Sequence, residues 1–187
     1  MLFRSLAMKV RFSVELTSEE SDPAWTSHGW DAIEFLIATN SGEPMKPLQQ
    51  IASGGELSRV MLALKAAVFE SKKQGGSSLR TLVFDEIDTG IGGRAAEAVG
   101  QKLKQLARSH QVLCITHLPQ IASMADHHFL IEKRSNAGTT VTSVRPIAGR
   151  ERTEEIARML SGAQLTTASI ANAEQMLRMS TRSTAPN

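Results

Sequence analysis

Ile51-Ala52-Ser53-Gly54-Gly55-Glu56-Leu57-Ser58-Arg59 sets a serine, two glycines and a glutamate at the mouth of an apolar-periodic segment. Ser53 and Glu56 fit a capping box, in which each side chain serves a backbone N–H at a helix start. That reading leaves Gly54 and Gly55 unexplained, because glycine weakens the first turn of a helix. What glycine offers there is close approach to the backbone. A helix start presents free N–H groups and positive partial charge, so the expected visitor is an anion such as a phosphate. Leu57, Val60, Met61, Leu64 and Val68 follow at helical spacing and predict a long helix. Charge, glycine and serine from Lys72 to Ser78 close it.

Downstream, Leu79 to Phe84 predicts a buried strand that delivers Asp85 and Glu86 at its C-terminal end. Open α/β sheets bind ligands at that edge. Two adjacent acids repel unless a cation or a proton lies between them. One can hold Mg²⁺, directly or through water, and the other can orient and polarise an attacking water. The plain alternative is a strand ending in a polar loop. Arg94 to His110 is amphipathic, and Val112 to Thr116 predicts a second buried strand ending at His117. If the two strands are neighbours, His117 shares the edge with Glu86 and can hydrogen-bond a phosphate; otherwise it is a loop histidine ahead of the short helix through Ile121-Ala122. His127 and His128 suggest a metal only weakly, since adjacent strand residues point to opposite faces.

Upstream, Val10, Phe12, Val14 and Leu16 alternate with polar residues. They predict a half-buried strand pairing antiparallel with Ile33 to Thr39. Thr17 to Gly29 reads as an exposed loop and Asn40 to Pro44 as a turn. Phe129 to Ile131 and Thr140 to Val144 predict further strands. Glu151 to Leu160 and Ala168 to Met179 predict two closing helices, followed by a polar tail. The succession strand, helix, strand, helix, strand predicts an α/β fold, a mostly parallel sheet flanked by helices with a peripheral β element.

The 187 residues suffice for one domain with its own core. A net charge of +2 is too small to argue for nucleic acid. With 4% aromatics and no tyrosine, a base-stacking platform is disfavoured. The single cysteine, Cys114, excludes an intrachain disulfide and reads as a structural thiol, in keeping with a reducing compartment. No apolar run approaches the roughly 18 residues of a membrane span, and the first eight residues lack a signal-peptide pattern. Arg145, Arg150, Arg152 and Arg158 cluster in sequence, as on a DNA-contacting surface or a solvated helix face.

The order of these motifs carries more than any one of them. A Ser-Gly-Gly-Glu helix, an apolar Asp-Glu strand and a strand ending in His resemble the C-terminal lobe of an ABC-type P-loop ATPase head. Ser53-Gly54-Gly55-Glu56 matches the signature motif, Leu82 to Glu86 the Walker B strand, Asp88 to Gly93 the D-loop and His117 the switch histidine. Transporter ATPases usually carry Pro after the Asp-Glu pair, whereas Ile87-Asp88 stands here, as in chromosome-maintenance and repair ATPases. Longer runs narrow this to a resemblance to the SMC-like RecN family of bacterial DNA repair proteins: Glu34 to Asn40, Ile51 to Arg59, Asp85 to Gly93, Thr116 to Ala122 and Glu155 to Leu160. The resemblance spans most of residues 1–180, leaving 181–187 as a tail.

The resemblance implies ATP and Mg²⁺ as cofactors and a bacterial, cytoplasmic, nucleoid-associated protein active in double-strand break repair and recombination. It implies that Ser53, Gly54, Gly55 and Glu56 act in trans on ATP held by a second head, with Asp88, Gly90 and Gly92 in the D-loop. Asp85 would support Mg²⁺ through water, Glu86 would be the general base, and His117 would sense the γ-phosphate. Implied partners are an N-terminal Walker A half, a second head and DNA. Two departures bear on this. The D-loop ends in Ile91-Gly92 rather than the Ala-Leu-Asp of many ABC proteins. No Gly-x-x-x-x-Gly-Lys-Ser/Thr occurs in the sequence, so the chain by itself is expected to be inactive, a lobe that contributes surfaces to a site completed elsewhere. A transporter subunit is the disfavoured alternative.

Overall fold

The structure is a computed structural model and describes residues 6, 8, 10–18, 26–27, 29–39, 42–51, 54–71, 79–136 and 139–182. Ser53, the expected helix closure at 72–78, and most of the loop at 17–29 lie outside the described residues.

Strands β1 (Arg11–Ser18) and β2 (Asp31–Ala38) form the expected antiparallel pair, with Val14 opposite Phe35 and Leu16 opposite Ile33. Phe12 stacks on Phe35 with ring centroids 5.9 Å apart, a cross-strand contact of the kind that stabilises hairpins. The short β3 (Lys46–Pro47) pairs with the inner end of β2 and completes a three-stranded antiparallel sheet. A 3₁₀ turn at Leu48–Gln50 then leads toward α1 (Gly54–Ser71).

Helix α1 forms where its apolar periodicity predicts; of the periodic residues Val60 is buried and Leu64 packs against the core. Its buried face is Val60, Leu62, Ala63 and Ala66, whereas Leu57, Met61 and Val68 are exposed. The helix is apolar on more than one stripe, so periodicity alone cannot choose the inward one. Packing chooses the face with the small residues, which allow close approach to neighbouring elements.

Strand β4 (Thr81–Phe84), helix α2 (Gly93–Leu106) and strand β5 (Gln111–Cys114) form a β-α-β crossover, with β4 and β5 parallel and Leu82, Val83 and Phe84 opposite Val112, Leu113 and Cys114. Helix α2 buries Ala96, Val99, Leu103 and Leu106. Leu82 and Phe84 join these residues and the inner face of α1 in the main core. The other face of the strand pair is open: Val83, Leu113 and Ile115 are exposed. Two buried strands were expected; among the described residues only one face of the pair is covered.

Helix α3 (Pro119–Ala122) follows β5, and β6 (His128–Asn136) and β7 (Thr139–Ile147) form an antiparallel hairpin. Helices α4 (Gly149–Ser161) and α5 (Thr167–Arg182) pack on α3 through Ala122, Ile156, Ala157 and Ala173. Arg152 fastens α4 to this region, its Nη2 donating to the carbonyls of Ala122, Ser123 and Ala125 at 3.3, 3.2 and 2.6 Å. Carbonyls at a helix end are acceptors that a basic side chain can serve, and that of Ala122 also accepts from the Ala125 N–H at 3.3 Å. The chain is α/β, with its parallel pairing in β4–β5 and antiparallel sheets at both flanks. No described helix is long and apolar enough to cross a membrane.

Candidate functional site

Parallel pairing of β4 and β5 puts the ends of both strands at one edge, as the backbone bond from Ile115 N to Phe84 O (3.0 Å) makes explicit. Asp85, Glu86 and Asp88 leave from β4, and Thr116 and His117 from β5. Asp85 and Glu86 are exposed, and Asp85 Oδ1 accepts from the Glu86 N–H at 2.9 Å. Glu86 adopts φ +56, the left-handed region that a non-glycine residue rarely occupies. The chain therefore turns sharply at the second carboxylate, and the loop through Asp88 is carried inward.

Asp88 is buried, 4% exposed. Its Oδ2 accepts from Thr116 Oγ1 at 2.6 Å and from the His117 backbone N–H at 2.8 Å, and His117 Nδ1 lies 2.9 Å from it. Burial by itself would raise its pKa. The hydrogen bonds from Thr116 and the His117 backbone, with the nearby His117 charge, outweigh that and hold the carboxyl below its ordinary value. Asp88 thus links the loop after β4 to the loop after β5. Sequence reading placed it in the D-loop and missed this contact; an acid inside the apolar-flanked Ile87-Asp88 step was the available signal.

The start of α1 packs directly against the same loop. A Cβ built on Gly54 would lie 2.7 Å from Glu86 Oε2; one on Gly55 would lie 2.7 Å from Thr89 Cβ and 3.0 Å from the carbonyl oxygens of Glu86 and Thr89. The glycines do permit close approach, and the visitor here is the chain's own loop. Ser58 Oγ donates to the Asp85 carbonyl at 3.0 Å, and buried Arg59 donates through Nη1 to the carbonyls of Thr89 (2.7 Å) and Ile87 (3.4 Å). Burial lowers the Arg59 pKa, partly offset by the Glu56 carboxylate. Glu56 lies in the first turn of α1, Gly90 (φ +73) in the turn after Asp88, and extended Gly92 at the N-cap of α2. The site residues described are therefore brought together along one line: α1 start, β4 loop, β5 end.

Cys114 sits half-buried on the inner side of β5, with its pKa raised to about 12 by burial and by the Asp88 and Asp85 charges. Such a thiol is a poor nucleophile at neutral pH. The four arginines are already engaged: Arg145 with Glu151 (2.6 Å), Arg150 with Glu154 (2.7 Å), Arg158 with Glu155 (2.6 Å), and Arg152 with carbonyls. His128 begins β6, with its pKa lowered by burial and the Arg152 charge, and His127 precedes the strand. Among the described residues no three His, Cys, Asp or Glu side chains cluster as metal ligands.

This arrangement can be set beside known proteins. A "DNA repair protein RecN" of Halalkalibacterium halodurans is 45% identical over 181 residues, covering 95% of this chain and 31% of that protein. The chain is RecN-like along nearly all of its length. The RecN protein of Bacillus subtilis is 46% identical over 82% of the chain and 26% of its own length. For a Xylella fastidiosa RecN the values are 48%, 81% and 26%. The chain therefore spans about a third or less of these curated RecN relatives. No family model matches it. Among solved structures, the Smc head domain with a coiled coil and joint from Pyrococcus yayanosii aligns at TM-score 0.57 and 21% identity, covering 86% of this chain and 28% of that one. The Smc head of Pyrococcus furiosus bound to the C-terminal domain of ScpA aligns at 0.51 and 21%, covering 78% and 33%. At that identity the likeness speaks for the fold alone, which is that of an Smc head domain and matches a C-terminal lobe of it.

Proposed function

We propose that residues 1–180 form the C-terminal lobe of an SMC-like DNA repair ATPase head and contribute the signature helix, Walker B strand, D-loop and switch histidine to a composite ATP site. The observation that carries this reading is the convergence of Asp85, Glu86, Asp88 and His117 at one sheet edge against the start of α1. Kinship with RecN supplies the repair context.

In this reading Ser53, Gly54, Gly55 and Glu56 present the amino end of α1 to a phosphate held by a second head, by the helix-terminus attraction for anions. Asp85 is the residue for Mg²⁺: an exposed carboxylate beside a second acid is a hard oxygen donor of the kind Mg²⁺ accepts alongside water and phosphate. Bound there, Mg²⁺ supplies neutralising charge to phosphate oxygens. Glu86 orients and deprotonates the attacking water, and His117 hydrogen-bonds the γ-phosphate. Asp88, Gly90 and Gly92 shape the D-loop between them. Catalysis rests on donors and charge placed in advance of the reaction.

The partners follow from what this lobe offers. The open face of β4–β5, with Val83, Leu113 and Ile115 exposed, suits an adjoining phosphate-loop half, since parallel sheets are usually covered on both faces. A homodimer of heads and DNA engaged by the larger assembly complete the scheme, in a bacterial cytoplasmic, nucleoid-associated setting. The test is Glu86→Gln in a head reconstituted from this lobe and a phosphate-loop half. Turnover should fall by about a hundredfold or more while ATP binding persists. Unchanged turnover would remove Glu86 from the role of base.

A further inference from the structure

We infer that Asp88 is the positioning residue for His117, holding its imidazole with the proton on Nδ1 and leaving Nε2 as the nitrogen that meets a ligand. The inference rests on the reading above only for what that ligand is; the orientation stands on the geometry alone.

The argument begins with donors and acceptors. A carboxylate is acceptor-only when ionised. All three groups that reach Asp88 Oδ2 lie on two consecutive residues after β5: Thr116 Oγ1, the His117 backbone N–H and His117 Nδ1. An unprotonated Nδ1 at 2.9 Å from a carboxylate oxygen would set two lone pairs against each other, so the proton belongs on Nδ1. A neutral imidazole has one N–H, so Nε2 is then the acceptor. Asp88 is 4% exposed, whereas the His117 side chain is 74% exposed. One ring nitrogen is thus committed to a buried anchor while most of the ring remains accessible.

The anchor itself is fixed. The loop from Ile87 to Thr89 receives two bonds from buried Arg59 on α1, and Thr116 Oγ1 accepts from the Leu118 backbone N–H at 3.1 Å while donating to Asp88. Helix α1, the β4 loop and the β5 loop therefore meet through Asp88. A buried carboxylate that orients a histidine and supports its charge when a proton arrives is a recurrent catalytic device. Here it would let Nε2 take up a proton and then, as part of an imidazolium, donate to a phosphate oxygen without rearranging the ring.

Long-range ¹H–¹⁵N correlation spectra of this chain at pH 8.5, without nucleotide, provide the first test. The expected result is a protonated-type Nδ1 and an unprotonated-type Nε2 for His117; a predominant Nε2–H form would overturn the inference. Asp88→Asn keeps the size but removes the charge, and should weaken the Nδ1–H preference with the far-UV spectrum unchanged. If that variant fails to fold, the parent spectrum decides alone. In the reconstituted head, Asp88→Asn should lower kcat about tenfold or more and leave KM for ATP within about threefold. Thr116→Val, which removes a bond to Asp88 but not the carboxylate, should cost less than about threefold in kcat. Equal effects of the two substitutions would reduce Asp88 to a structural role. A reconstituted head that never hydrolyses ATP would defeat the proposed function and leave the tautomer result standing.

Discussion

At the scale of single residues, Asp88 also makes a prediction about acid stability. Its folded pKa lies below the ordinary value because the hydrogen bonds from Thr116 and His117 outweigh the cost of burial. A depressed carboxyl stabilises the fold fully above its unfolded pKa of roughly 4 and loses that contribution as pH falls through the folded value. Asp88→Asn should therefore cost about 1–3 kcal/mol at pH 7. The gap to the parent should stay level down to about pH 5 and narrow below about pH 4. Urea unfolding across that range reads it directly, and a pH-independent gap would mean that the charge is not what Asp88 contributes. The sequence made Asp85, Glu86 and His117 legible because strand ends announce themselves by composition. It did not disclose that Asp88 reaches His117, because the pairing joins positions brought together only by the parallel register of β4 and β5.

At the scale of elements, α1 holds the most informative discrepancy. Its presence was legible from periodicity and its start from the glycines, yet the periodic positions did not say which face turns inward. Leu57, Met61 and Val68 make as good a stripe in sequence as the face that is buried. What decides between them is tertiary: Val60, Leu62 and the small Ala63 and Ala66 face the core, and Arg59 beside them bonds the carbonyls of Ile87 and Thr89. The same contact explains Gly55 without any ligand. A methyl group there would meet Thr89 Cβ at 2.7 Å and two backbone carbonyl oxygens at 3.0 Å. Backbone oxygens cannot swing aside as a long side chain can, so the whole Glu86–Thr89 loop must shift. Gly55→Ala should destabilise this chain by about 1–3 kcal/mol despite alanine's better helix propensity. A rise in the urea midpoint instead would show that the loop yields freely, and would return Gly55 to a purely ligand-related explanation.

At the scale of the whole molecule, the fold has a main core, a smaller one where α3, α4 and α5 meet, and apolar faces that remain exposed among the described residues. On β4–β5 the even positions Leu82 and Phe84 are buried while Val83 beside them is 65% exposed, and Ile115 beyond β5 is 52% exposed. The near-continuous apolar runs supported the expectation of buried strands, and parallel sheets are normally covered on both faces. The run could not tell which face this chain fills and which it leaves for other polypeptide. The double substitution Val83→Thr with Ile115→Thr tests the distinction, because threonine keeps the β-branched shape and changes only the polarity. In this chain alone it should shift the unfolding free energy by no more than about 0.5 kcal/mol, as exposed positions do. It should also reduce binding of a hydrophobic dye such as ANS. In the reconstituted head, where the face would be desolvated against the phosphate-loop half, each hydroxyl should cost about 1–3 kcal/mol. A large loss of stability in the isolated chain would mean that the face is already filled. A negligible loss in the reconstituted head would mean that the partner half docks elsewhere.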